Sequence, residues 1–206
     1  MKSPEVRPRN PRGEGGKLRA DILNAAAGLI EDSGTPEAVT LRAVARRVGI
    51  SAPSIYAHFP DRDAILLALI EQAFAELAQA VNAAIAEESD PVARLRLGCQ
   101  AYLRFARERP QPYRIMFQEA HPASDLAPDG SENLGTEAFA ILVDCIGQCA
   151  AAGRSSSTDP FADAAAVWVA MHGYALLNAG LPDFPWPAPE AMFDRIVLRL
   201  AGVSAP

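Results

Sequence analysis

The chain has 206 residues, half of them apolar and 21% charged, which fits a folded protein with one good-sized core or two small ones. Its net charge of −6 argues, taken whole, against a polyanionic partner, but the charge is unevenly spread. Nine Lys/Arg face six Asp/Glu through residue 60 and ten face nineteen after it, a basic front joined to an acidic remainder. No run approaches eighteen uninterrupted apolar residues, so no membrane span is expected. The opening MKSPEVRPRNPRGEGGKLR has no apolar core and does not read as a secretory signal. Three cysteines without zinc-like spacing predict no disulfide framework and no metal site, in a reducing, cytoplasmic setting.

Residues 1–16 are rich in Pro, Gly and Arg, with almost nothing to bury, and read as a disordered basic arm. Such an arm either reaches DNA phosphates or a minor groove, or is a solvated tail. From Lys17 the pattern turns helical, with Leu18, Ile22, Ala25, Ala26, Leu29 and Ile30 in one stripe that ends near Gly34.

The stretch from Thr40 to Arg62, TLRAVARRVGISAPSIYAHFPDR, is the most informative in the chain. Leu41, Val44, Ala45 and Val48 fall at i, i+3, i+4 and i+7, the buried face of a short helix. Gly49 supplies its left-handed stop, Ser51 an N-cap for the next helix, and Pro53 sits where a missing N–H costs nothing. Two short helices with a tight break are a helix-turn-helix, whose second helix fits a DNA major groove.

Asp61 then caps a long helix carrying Ile65, Leu66, Leu69, Ile70, Ala73, Phe74, Leu77 and Val81. Asp90-Pro91 and Asp159-Pro160 are two further helix starts, the carboxylate taking orphan N–H groups and Pro presetting φ. The first opens a helix with Val92, Leu95, Cys99, Tyr102, Leu103 and Ala106, broken at Pro110 and Pro112, before a short helix in YRIMFQEA. Residues 121–131 read as a loop, and residues 132–152 as a helix burying Phe139, Leu142, Val143, Ile146 and Cys149. The helix over 160–180 is apolar around most of its circumference, and a last helix runs from Pro189 to about 201. A helix apolar on so many sides must bury more than one face, either inside its own subunit or against a second copy.

At these residues the chain resembles the tetracycline-repressor (TetR) family of transcriptional regulators. Thr40, Arg42, Ala45, Gly49, Ile50, Ser51, Ile55, Tyr56, His58, Phe59 and Arg62 follow the family's N-terminal pattern, though many members carry Lys at the last position. Trp168 with His172-Gly173 resembles the C-terminal subtype named for Trp, His and Gly. The resemblance implies an all-α protein: a three-helix helix-turn-helix head at 17–62 and a six-helix ligand-binding and dimerisation body at 63–206. It implies a homodimeric repressor, paired through the helices at about 160–180 and 189–201. Such a repressor is released from a double-stranded DNA operator by a small-molecule effector. The alternative is a constitutive dimeric DNA-binding protein without an effector, or an interaction module whose helix-turn-helix has lost its DNA role.

The expected DNA-binding residues are Thr40, Arg42, Ser51, Ala52, Pro53, Ser54, Tyr56, His58 and Arg62. Ala52 and Ser54 are short enough to approach base edges, while Tyr56 and His58 resemble the family's phosphate-contacting pair. Packing against the first helix is the other reading of that pair. One of Arg46 and Arg47 is expected to face DNA. Tyr102, Phe105, Tyr113, Met116, Phe117, Phe139, Trp168 and His172 either line an effector pocket or are plain core. Cys145 and Cys149 are either a redox or soft-metal pair or small buried hydrophobes. With three scattered His and no HExxH, Walker loop, GxSxG or Gly-rich dinucleotide turn, no catalytic site and no cofactor are expected.

Overall fold

In a computed structural model, residues 15–117 and 135–203 are described. The expected basic arm, but for its last two residues, and the expected loop at 121–131 lie outside them. Eight α-helices are described: α1 (Gly15–Ser33), α2 (Leu41–Val48), α3 (Arg62–Ile85), α4 (Pro91–Glu108), α5 (Pro110–Met116), α6 (Thr136–Ala151), α7 (Pro160–Gly180) and α8 (Pro189–Phe193). The chain is all-α, as expected. Contacts divide it into two units, one within Met1–Ala73 and Arg114–Ser131, the other within Phe74–Tyr113 and Glu132–Pro206. The expected domain boundary at residue 62 is where α3 begins, and α3 gives Arg62–Ala73 to the first unit.

In the first unit, α1 packs on α2 and on a 3₁₀ turn at Pro36–Ala38. Ile22, Ala26, Ile30, Val39, Val44, Ile55 and Ile65 are sealed from solvent. Leu23 is also buried, although it lies off the expected stripe.

In the second unit α4, α6 and α7 pack on one another, and α7 also meets the more widely wound turn Asp194–Leu198 that follows α8. Asp90 and Asp159 cap α4 and α7 as expected, accepting from the N–H groups of Ala93 at 2.8 Å and Ala162 at 3.0 Å. The carbonyls closing α3 find a partner in Arg94, which donates to Ile85 O at 2.8 Å and Glu88 O at 2.9 Å.

By length and composition α3 is apolar enough to cross a membrane, and half of that stretch is buried inside the protein. The search for an uninterrupted apolar run missed it because Glu71, Gln72, Glu76 and Gln79 interrupt the sequence. Its apolar residues are those of a core helix that packs in both units: Ile65, Leu66 and Ile70 in one, Leu77, Val81 and Ile85 in the other.

Candidate nucleic-acid interface

Thr40 begins the site. Its backbone is extended, its hydroxyl accepts from the N–H of Ala43 at 3.1 Å, and its carbonyl accepts from Val44 at 2.9 Å, so α2 starts with its first donors satisfied. Val44 and Ala45 turn inward, which leaves Arg42 and Arg46, one helical turn apart, exposed together. Gly49 ends α2 at φ 79°, a left-handed conformation that would strain a residue with a β-carbon.

The next segment differs from expectation. Instead of a regular second α-helix, Ala52–Ile55 forms a tight 3₁₀ turn that continues as turns to His58. The physical reason lies in the length available: Pro60 keeps Phe59 out of the helical region, so only the residues between Ser51 and Phe59 can turn. Ser51 also behaves differently. It has the extended backbone of a cap, but its hydroxyl pairs with Ser54 Oγ at 2.7 Å instead of with a backbone N–H.

This turn is anchored from below by Ile55, fully buried, and by Phe59, over whose ring the Arg19 guanidinium sits at 4.9 Å. Above that anchor Ser51, Pro53 and Tyr56 are exposed, Tyr56 to 58%, with Ala52, Ser54 and His58 half-buried. Nothing between Thr40 and Phe59 is acidic, while three of those residues are Arg. The exposed face therefore has basic, hydroxyl and imidazole groups and no carboxylate of its own.

The three arginines and Arg62 separate by partner. Arg47 pairs with Asp32 at the end of α1. Arg62 is turned inward: Nε donates to Val39 O at 2.8 Å, Nη2 to Pro36 O at 2.9 Å, and Nη1 to Asp63 at 3.2 Å. Of the Arg46–Arg47 pair it is Arg46 that stands clear, and its i+4 spacing from Arg42 was the available signal.

In the second unit a separate polar chain runs through apolar surroundings. Tyr102 Oη lies 2.8 Å from Tyr113 Oη, which lies 2.8 Å from His172 Nδ1. Burial pushes Tyr102 up to about 12 and Tyr113 upward too, and it pushes His172 below its ordinary value. At neutral pH the three groups are uncharged. Trp168 packs beside His172 and against Phe139, with ring centroids 6.3 Å and 5.9 Å apart.

The structure thus brings Tyr102, Tyr113, Phe139, Trp168 and His172 together; Phe105 is buried on α4, and Met116 and Phe117 belong to the other unit. Cys99, Cys145 and Cys149 are buried with their thiols raised by burial, and Cys149 Sγ donates to Pro91 O at 3.3 Å. Buried, protonated thiols are the small hydrophobes of the plainer reading.

Residues 22–69 match the family model for bacterial regulatory proteins of the tetR family, and residues 95–200 match that for the tetracyclin repressor-like C-terminal domain. The chain belongs to the TetR family. The first of these models is one of bacterial regulatory proteins. The C-terminal description is the general one and does not bear out the Trp-His-Gly subtype expected from Trp168 and His172-Gly173.

Among curated relatives, the nucleoid occlusion factor SlmA of Vibrio vulnificus (strain YJ016) is 35% identical over 98 residues, 48% of this chain and 50% of that protein. The chain thus spans about half the length of the curated relatives it matches. A solved structure from Rhodococcus sp. RHA1, of a protein with unknown function, is 27% identical over 95% of this chain and all of that one, with a TM-score of 0.77. The TetR family transcriptional regulator PfmR of Thermus thermophilus shares the fold, at 23% identity and a TM-score of 0.61, over 89% of this chain and 99% of that chain.

Proposed function

We propose that this TetR-family regulator is a homodimeric repressor, active in the bacterial cytoplasm, that leaves its operator when a small molecule binds its second unit. The observation that carries the reading is the acid-free exposed face of Arg42, Arg46, Ser51, Pro53 and Tyr56 above a fully buried Ile55. Arg42 and Arg46 meet phosphates, as do Tyr56, His58 and the hydroxyl and amide at Thr40, which positions the protein without reading sequence. Ser51 to Ser54 meet base edges in the major groove.

Pairing through the exposed apolar side of α7 and the chain's last helix gives two such faces, about 34–36 Å apart on one side of a duplex. The effector is apolar or partly apolar and uncharged, because Tyr102, Tyr113 and His172 offer neutral hydrogen-bonding groups beside Trp168, which itself packs on Phe139. Its binding favours one arrangement of the dimer over the other and so changes the separation of the two faces.

Selection of bound fragments from random duplex DNA tests the proposal. A palindrome with half-sites a whole number of helical turns apart is expected, with affinity falling steeply as salt rises. Failure to enrich any sequence at moderate salt would overturn it. If an operator is found but no compound in a metabolite library releases it, the protein is the constitutive binder instead.

A further inference from the structure

The segment Ser33–Thr40 joins α1 to α2 and must present Thr40 in the extended conformation that a cap requires. Its local bonds gather at its front, where Ser33 Oγ meets the N–H and carbonyl of Thr35 and the Thr35 hydroxyl meets Glu37. The 3₁₀ turn Pro36–Ala38 has no side-chain cap, and Val39 is anchored only by its buried side chain and by its N–H bond to Pro36 O at 3.0 Å. Arg62, at the first turn of α3 and 23 residues beyond Val39, bonds two carbonyls of this stretch, Pro36 O and Val39 O.

We infer that Arg62 is a positioning residue for DNA binding and not a phosphate contact: its planar fork, bridging Pro36 O and Val39 O, sets the peptide that carries Thr40 and hence the start of α2. Val39 O belongs to the same peptide unit as the Thr40 N–H, so the bond from Nε fixes the plane from which the cap and the first turn of α2 continue. Nη2 holds Pro36 O, and Nη1 meets Asp63, which orients the guanidinium from its own helix. Three of its five N–H donors are committed to these acceptors, which holds the guanidinium against the Pro36–Val39 stretch. A lysine has one nitrogen and no plane, so it cannot reproduce two bonds that leave separate nitrogens of a rigid fork. Charge alone does not substitute.

The affinity part of this inference rests on the proposed DNA-binding face. Full-length Arg62→Lys and Arg62→Ala are compared with wild type by operator titration over a range of salt and, without DNA, by amide hydrogen exchange. Both variants are expected to bind about tenfold more weakly with an unchanged salt slope, and to exchange the Val39 and Ala43 amides about tenfold faster. Arg62→Lys keeps the charge and guards against an alanine variant that fails to fold.

Rescue by Lys, with exchange at Val39 and Ala43 as in wild type, would overturn the inference. So would a salt slope lowered by about 1 in Arg62→Ala alone, the mark of a lost phosphate contact. If wild type selects no duplex, the DNA reading fails, and the exchange measurement still decides whether Arg62 holds the segment.

Discussion

Tyr113 Oη lies 2.8 Å from His172 Nδ1, joining α5 to α7 across 59 residues of sequence, and the same hydroxyl lies 2.8 Å from Tyr102 Oη on α4. One oxygen therefore serves two partners in a desolvated setting. Tyr113→Phe removes it and leaves both without it, so the unfolding free energy should fall by about 1–3 kcal/mol in urea denaturation. A loss below about 0.5 kcal/mol would mean that water takes over the hydroxyl's role.

The same residues set a pH dependence. Burial holds the folded His172 below its ordinary 6.5, so below that pH the unfolded chain takes up a proton that the folded chain resists. The stability that neutral His172 allows is complete above about pH 6.5 and is lost as pH falls toward the folded value. The stability difference between about pH 7.5 and pH 5.5 should accordingly shrink in His172→Gln. Identical differences in the two proteins would remove His172 as the cause.

On the head, Arg42 and Tyr56 are exposed, so truncating either should leave the thermal midpoint within about 2 °C of wild type. Arg42→Ala should weaken binding across all sequences and lower the salt slope by about 1, since it removes one phosphate contact. Tyr56→Phe should weaken binding with the slope unchanged, because a neutral donor releases no counterion. Ile55→Ala is the contrasting case. It empties a fully buried position under the recognition turn and should cost about 2–4 kcal/mol of stability.

Much of this head was legible in the sequence because its signals are local. Thr40, Gly49, Asp61, Asp90 and Asp159 act through bonds within four residues, and caps of that kind are written in neighbouring residue types. Ile55 and Phe59, both buried, are likewise apolar residues four apart, the spacing of one helical face. What escaped was set by distant partners. Arg62 reads as a DNA contact near a helix start until the carbonyls of Pro36 and Val39 are placed beside it. The recognition segment reads as a helix because Ser51 and Pro53 look like a start, and only the length left before Pro60 limits it to a tight turn. In the second unit, Tyr102, Tyr113 and His172 read as pocket lining or core, and the sequence could not show that their polar ends meet.

Arg47 and Gly28 form another relationship of that distant kind. A β-carbon at residue 28 would lie 2.6 Å from Arg47 Nη2 and 2.9 Å from its Cζ, so the guanidinium rests against the bare helix on its way to Asp32. The obstructing atoms are the end of a flexible side chain, which can move. Gly28→Ala should therefore gain about 0.5–1 kcal/mol from the helix interior and lose an exposed ion pair worth about 0–1 kcal/mol. Net stability should change by less than about 1 kcal/mol in chemical denaturation. A loss above about 1.5 kcal/mol would show that Arg47 packing, beyond its ion pair, holds α1 to α2.

The last prediction concerns α7. Ala164, Val167 and Met171 are buried in its own unit, yet Phe161, Val169, Leu176 and Leu177 remain exposed, Phe161 and Val169 to 65% each. Residues 161, 169 and 176 are spaced by eight and seven, so they line one continuous side of the helix. A contiguous apolar side of this kind is costly to leave in water, and a second copy offers the same side in return through twofold pairing. Sedimentation equilibrium should find wild type dimeric at micromolar concentration. Val169→Glu with Leu176→Glu places four carboxylates in that contact and should give a monomer with an unchanged helical spectrum, because neither residue is part of the buried core. The monomer holds one half-site at a time, so operator affinity should fall about a hundredfold or more. A double variant that still sediments as a dimer would locate the pairing surface elsewhere. A monomeric wild type with full operator affinity would remove the dimer from the proposal altogether.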